Sequence, residues 1–197
     1  MKNTKTVNKR IRSTKKYFDE LQDKYSKLNI IRLDLYYDKK FSKEITLDEA
    51  NKHINKMQNN KRNNRLFDNQ VGYVCKREHG DKKGVHMHLI LAFDGQKVNK
   101  DILKAKKIGE YWTKEITDGK GGYYNCNMND YEESGIGMID HRDSKKRKVL
   151  DEVVIPYLCK EDQSLEALKN SKKDRAFTRG TVSKEKTKRG RKRKEEE

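Results

Sequence analysis

The stretch GVHMHLILAF, residues 84–93, constrains the fold more than any other part of the chain. Turn chemistry precedes it, HGDKKG at 79–84, and before that comes QVGYVCKRE at 70–78, which is β-branched and aromatic. Two such segments around a short glycine-containing loop predict an antiparallel hairpin over 70–93. Side chains alternate along a strand, so Val85, Met87, Leu89, Leu91 and Phe93 share one face and are expected to be buried. His86 and His88 leave by the other face, about 6.6 Å apart along the chain. Two imidazoles at that spacing can bend toward one ion, because nitrogen ligands sit ~2 Å from a first-row metal. The ordinary alternative is a pair of half-exposed histidines satisfied by hydrogen bonds.

Glu78 shifts the balance toward a metal. If the hairpin loop spans His79 to Val85, Glu78 lies opposite His86 on the same face. Two histidines and a carboxylate would then surround one divalent cation and leave positions open for a substrate. A slip of one residue would bring Arg77 there instead, with His79 and Asp81 as substitute ligands. A cupin metal site also uses a His-x-His strand, and Gly80 ahead of His86 imitates its opening. That pattern wants a glutamate four or five residues past the second histidine, where this chain has Ala92 and Phe93, so the cupin reading fails.

The rest of the chain alternates helix and strand signals. Tyr17, Phe18, Leu21 and Tyr25 recur at helical spacing within the basic segment 1–28, predicting an amphipathic entry helix. NIIRLDLYYD (29–38) reads as a strand, and TLDEANKHINKMQNN (46–60) opens with the helix-start signal Thr46 and an acidic first turn. Residues 99–117 look helical, 118–130 form a loop with room for a short strand, and GIGMID (135–140) is another strand. Helix is expected from Val149 to Leu168, interrupted or begun afresh at Pro156. Residues 169–197 contain KTKRGRKRK and are expected to be disordered in isolation. This order predicts an α+β fold, a central antiparallel β-sheet with helices packed on one side. The division is a basic helical extension (1–28), a core domain (29–168) and a basic tail (169–197).

Charge points to the partner. Lys and Arg outnumber Asp and Glu by 48 to 31, a formal net charge of +17, so a polyanion is expected, nucleic acid before an anionic membrane. No run approaches the ~18 apolar residues of a spanning helix, and the basic start lacks the apolar segment of a secretory signal. Cys75, Cys126 and Cys159 are scattered with no CxxC pair, which argues against a disulfide framework and a cysteine zinc site. A reducing cytoplasm is the expected location.

A metal-bound phosphodiester needs a nucleophile. Water gives hydrolysis, whereas tyrosine gives a reversible covalent phosphotyrosyl bond. Lysine three residues after the tyrosine would share its helical face, help ionise a phenol of ordinary pKa ~10 and steady charge on the phosphate. YxxK occurs five times, starting at Tyr36, Tyr37, Tyr73, Tyr111 and Tyr157. Only Tyr111 and Tyr157 fall in helical segments after the histidines, and spacing alone does not choose between them.

An acidic residue ahead of His-x-His, with YxxK downstream, resembles the HUH endonucleases that start rolling-circle replication. The segments VGYVCKREHGDKKGVHMHLILAFDG, IGEYWTKEITDGKGGYYNCN, GIGMIDHRD, VIPYLCKEDQ and RAFTRG look closest to the initiators of inoviruses (filamentous phages) and their prophage relatives. They span about 71–180, and RLDLYY (32–37) resembles the first motif strand of such proteins. The resemblance implies a ferredoxin-like or RNA-recognition-motif-like sheet with the histidine strand in its middle. It implies metal ligation by His86, His88 and, as acidic third ligand, Glu78, with Mg2+ or Mn2+ as the cofactor. Tyr157 would be the nucleophile and Lys160 its partner, since both lie in YLCKEDQ near the end of the core. The implied activity is nicking and rejoining of single-stranded DNA at a replication origin, in a bacterial host cell whose helicase and polymerase complete replication. Arg32 and the run Lys145, Lys146, Arg147 and Lys148 are then expected to grip DNA. The other readings are a non-catalytic DNA-binding regulator of a phage or prophage on the same fold, or a related transposase or relaxase.

Overall fold

The computed structural model describes residues 2–81, 83–160, 165 and 175–182. Helix α1 (Lys2–Lys24) leads into strand β1 (Lys27–Tyr37), then helix α2 (Leu47–Asn60) and strands β2 (Gln70–Gly80) and β3 (Gly84–Asp94). Helix α3 (Asp101–Tyr111) and strand β4 (Gly121–Asn125) follow, then strand β5 (Gly137–Asp140), helices α4 (Ser144–Val149) and α5 (Ile155–Cys159), and strand β6 (Phe177–Arg179). Local chemistry accounts for several boundaries. Thr46 caps α2, its hydroxyl accepting from the Glu49 N–H at 3.1 Å, with Asp48 and Glu49 in the first turn. α4 runs into α5 through one wide π turn, Leu150–Val154. Pro156 follows directly on this π turn inside the continuous helical run, so its missing N–H removes a helical hydrogen bond where the ladder is already widened.

Every strand pairing is antiparallel, and the sheet order is β4-β1-β3-β2-β6, with β5 also on β1. The unit from β1 to β4 has the order β-α-β-β-α-β, which is the ferredoxin-like arrangement. The protein is therefore α+β, with the histidine strand β3 in the middle between β1 and β2. β4 and β5 occupy the same edge of β1 with a gap between them. Asn127 fills it, donating to the Ile30 carbonyl and accepting from the Arg32 N–H, each at 2.9 Å, as a strand would.

Helices cover both faces of this sheet, not one. Ile31, Leu33 and Leu35 of β1 and Val85, Met87, Leu89, Leu91 and Phe93 of β3 are buried with α2 and α3. The alternate residues Leu28, Ile30, Val74, Ile90 and Ala92 are also buried, under Tyr17, Phe18 and Leu21 of α1 and Ile155 and Leu158 of α5. The expectation of one-sided packing thus holds for α2 and α3 only. The cause is legible in β3: from Leu89 to Phe93 it is apolar without alternation, so both faces of that half need covering. Only toward the start of β3, at His86 and His88, does the second face stay polar and open.

The expectation of disorder from residue 169 onward does not hold for Phe177–Arg179. These residues form β6, paired to Val74, Cys75 and Lys76, and Ala176 beside them is buried. β6 supplies partners to backbone groups that would otherwise lie along an open β2 edge. KTKRGRKRK and the expected helix beyond Lys160 lie outside the described residues. Among the described residues no helix is long and apolar enough to cross a membrane.

The turn before the histidines depends on Gly84, whose φ is +62° and whose missing Cβ would lie 2.2 Å from the Ser42 carbonyl oxygen. Both the left-handed backbone and the contact with main chain oppose a side chain there. Gly84→Ala is expected to cost about 2–4 kcal/mol in urea unfolding, against about 1 kcal/mol for Gly119→Ala, whose φ is +76° with open space around it. Equal losses at the two positions would show that the Ser42 contact is not a real constraint.

Candidate metal centre and tyrosine site

The hairpin register places Glu78 opposite His86 and Lys76 opposite His88, while β1 places Asp34 opposite His88. Directly opposed residues share a face, so these five side chains project together beyond the apolar half of the sheet. Glu78, His86 and His88 bring one ligand atom each to within 4.8 Å of one another. Both histidine Nε2 atoms lie 3.3 Å from Glu78 Oε2. The remaining ring nitrogens are engaged elsewhere: His86 Nδ1 donates to the Gly84 carbonyl at 3.1 Å and His88 Nδ1 to Asp34 Oδ1 at 2.7 Å. A carbonyl or a carboxylate can only accept, so each bond orients its imidazole with Nε2 toward Glu78. Donors ~3 Å apart are spaced as neighbouring ligands ~2.1 Å from a shared ion would be, and the set fits a divalent cation with open positions. Asp34 is the outer carboxylate that such histidines commonly require.

Electrostatics hold the group in this form. Burial disfavours the Glu78 carboxylate, but hydrogen bonds from His86, His88 and Lys76 outweigh it and hold its pKa far below the usual range. Burial likewise disfavours the His88 imidazolium, yet Asp34 and Glu78 overcome it and raise its pKa. Asp34 is lowered against its own burial by His88 and Arg32. Lys76 is the member that sequence reasoning missed. Its side chain is fully buried, and its ammonium donates to Glu78 Oε1 at 2.7 Å and to the Lys160 carbonyl at 2.8 Å. Its place beside Glu78 at i and i+2 was the available signal, but a lysine in so basic a chain did not stand out.

Tyr157 lies against this group. Its ring meets the His88 ring edge-on at 5.5 Å between centroids, with the Arg32 guanidinium 4.6 Å and the Lys160 ammonium 4.3 Å from its centroid. At 39% exposed it is open to solvent. Tyr157, Glu78, His86, His88 and Asp34 line one cavity of about 690 Å³, together with Tyr36, which the sequence offered as a YxxK tyrosine, and Tyr124 and Lys83, which it had not singled out. Tyr111 is elsewhere: its hydroxyl accepts from Asn60 at 2.8 Å and its ring packs on Phe67, in the core across the sheet. Of the substitute ligands, His79 opposes Val85 and so shares the other face, and Asp81 is exposed in the turn.

The run at 145–148 is separate from the cavity. Arg147 pairs with Asp19 and Asp151, Lys145 with Glu133 and Lys148 with Glu152, which blunts its positive field. Lys146 donates its backbone N–H to the capping Asp143. None of the four lines the cavity at the histidines.

Asp34 and Glu78 strengthen the hold of His88 on a proton, and proton and cation compete for its Nε2, so affinity is expected to rise with pH, by up to about tenfold per unit. Asp34→Asn keeps the shape but removes the charge behind His88, and should weaken binding about 10–100-fold. Mn2+ titration followed by electron paramagnetic resonance measures both. A pH-independent affinity, or an Asp34→Asn variant that binds like wild type, would show that His88 is not a ligand.

No curated protein and no solved structure matches the chain. The family model described as the YagK/YfjJ C-terminal domain matches residues 1–180, and the chain belongs to that family.

Proposed function

We propose that this protein is a metal-dependent HUH-type endonuclease that nicks and rejoins single-stranded DNA at a replication origin, initiating rolling-circle replication. The observation that carries the reading is the solvent-open Tyr157 phenol, with two cations near its ring and a histidine of the Glu78–His86–His88 group against it. Glu78 Oε2 and the Nε2 atoms of His86 and His88 would hold Mg2+ or Mn2+. When bound, the ion polarises a non-bridging phosphate oxygen and offsets charge in the transition state.

The chain's own groups account for the rest. The Tyr157 oxygen attacks the phosphorus, a P–O bond to tyrosine forms, and the P–O bond to the 3′ oxygen breaks. The phenolic proton is released, and the departing 3′ oxygen takes up a proton to become a free hydroxyl that a host polymerase can extend. The 5′ phosphate stays on Tyr157, so the reverse attack by a 3′-OH rejoins a strand without nucleotide hydrolysis. Arg32 and Lys160, both close to the ring, are placed to meet the charge that develops on the phosphate. Unwinding is left to a host helicase, since the chain carries no GxxxxGK[ST] phosphate loop.

The test mixes purified protein and Mn2+ with single-stranded DNA from its replicon's candidate origin and separates adducts on denaturing gels. The wild type and Tyr111→Phe should form a covalent adduct to within about twofold of each other, Tyr157→Phe none, and Lys160→Ala about 10–100-fold less. Loss with Tyr111→Phe alone would move the nucleophile across the sheet and defeat this site. Tight binding with no adduct on any origin strand would favour a regulator that keeps the fold without turnover.

A further inference from the structure

A positive surface lies on the other flank of β2 from the histidines. Lys9 and Arg10 of α1 face Arg175, Phe177, Thr178 and Arg179 across a groove of about 610 Å³. A second hollow of about 290 Å³ shares Tyr73, Arg179, Gly180 and Thr181 with it and adds Lys61. Among the described residues lining the two, five are Lys or Arg and none is Asp or Glu. Hydroxyls of Thr6, Ser13, Thr178 and Thr181 stand among the cations, the mixture of donors that phosphate oxygens accept from.

The sheet register ties this groove to the tyrosine site. His88 pairs with Lys76, and Lys76 pairs with Phe177, so the three form one row across the sheet on one face. Adjacent strands are ~4.8 Å apart, which puts Phe177 about 10 Å from the histidine strand. Arg10 lies 5.6 Å from the Phe177 ring centroid, so the cation and the aromatic that meet a polyanion first are already assembled. Lys76, between Phe177 and His88, is fully buried against the Lys160 carbonyl, so the row fixes the spacing of groove and histidines and is not itself an open path.

We propose that the groove between α1 and β6 holds the sugar–phosphate backbone of the single strand that adjoins the scissile phosphate. The proposal deepens the nicking reading and rests on it for the identity of the strand. Affinity here comes from phosphate contacts, so it is insensitive to base sequence and strongly dependent on salt. Base-specific choice of an origin is left to other contacts.

The experiment measures binding of the full chain to a fluorescein-labelled single-stranded 20-mer of mixed sequence by anisotropy, in EDTA, across a series of salt concentrations. The groove variant is Lys9→Gln/Lys61→Gln/Arg175→Gln, three exposed side chains. The matched control, Lys52→Gln/Lys106→Gln/Lys120→Gln, removes the same charge from lysines paired with Asp48, Glu110 and Glu49. Each single-strand phosphate contact contributes about 0.7 to the slope of log K against log salt, so the groove variant should flatten the slope by about 2 and bind more weakly, while the control stays near wild type. Equal flattening in both variants would mean net charge alone attracts DNA and would overturn the groove. A loss confined to a duplex of the same sequence would overturn the single-strand assignment. Adduct formation with Mn2+ is scored separately, so a groove that binds DNA without any adduct would count against the nicking reading and not against the groove.

Discussion

The buried ammonium of Lys76 joins the two halves of the candidate site. One hydrogen bond ends on Glu78, the carboxylate between the histidines, and the other on the carbonyl of Lys160, at the end of the helix that carries Tyr157. Burying an amine this completely is costly unless its charge is matched and its hydrogens are used. Both conditions are met only when the hairpin is in its observed register and α5 is seated on the sheet. The metal ligands and the tyrosine, 79 positions apart from Glu78 to Tyr157 in a 197-residue chain, are therefore held in one arrangement by a group that belongs to neither. Glu78 also accepts from the buried Lys76 ammonium, so substitution there mixes a folding effect with a metal effect, whereas Asp34 reports on His88 from outside.

The rest of the architecture divides by face. One side of the sheet is covered by α2 and α3, and among the described residues it carries none of the candidate ligands. The other is covered by α1 and α5 only over its apolar half, and the open half is where His86, His88, Glu78, Asp34 and Tyr157 gather. Rigid strands position every proposed ligand and its outer carboxylate, which favours a preorganised centre over one assembled by loops. On the same open face β6 extends the sheet past β2, so the positive groove and the tyrosine site lie along one row of paired residues. Membership of the YagK/YfjJ C-terminal domain family covers both regions, since the matched residues run from 1 to 180.

Much of this was legible in particular residues. The alternation Val85-His86-Met87-His88 told which side chains would be buried, and the HGDKKG turn told where the hairpin reverses, which together place Glu78 against His86. Thr46 marked the start of α2, and the apolar spacing of Tyr17, Phe18 and Leu21 marked α1. Legibility failed where a signal depends on what lies across space. Phe177-Thr178-Arg179 is too short to read as a strand, and becomes one only because β2 presents an open edge. The run at 145–148 reads as positive, but Asp19, Glu133, Asp151 and Glu152 meet its charges in the folded chain. Lys76 reads as one lysine among many.

Local periodicity and turn chemistry, which act over a few residues, determined by themselves the α+β class, the hairpin and the shared face of the histidines. The tertiary structure alone decided which tyrosine meets the histidines, since Tyr111 and Tyr157 carry the same local signal and differ only in the face of the sheet their helices cover. It alone decided that both faces are packed and that Lys76 is buried. Those outcomes depend on contacts between residues tens of positions apart, and no pattern within one segment encodes them.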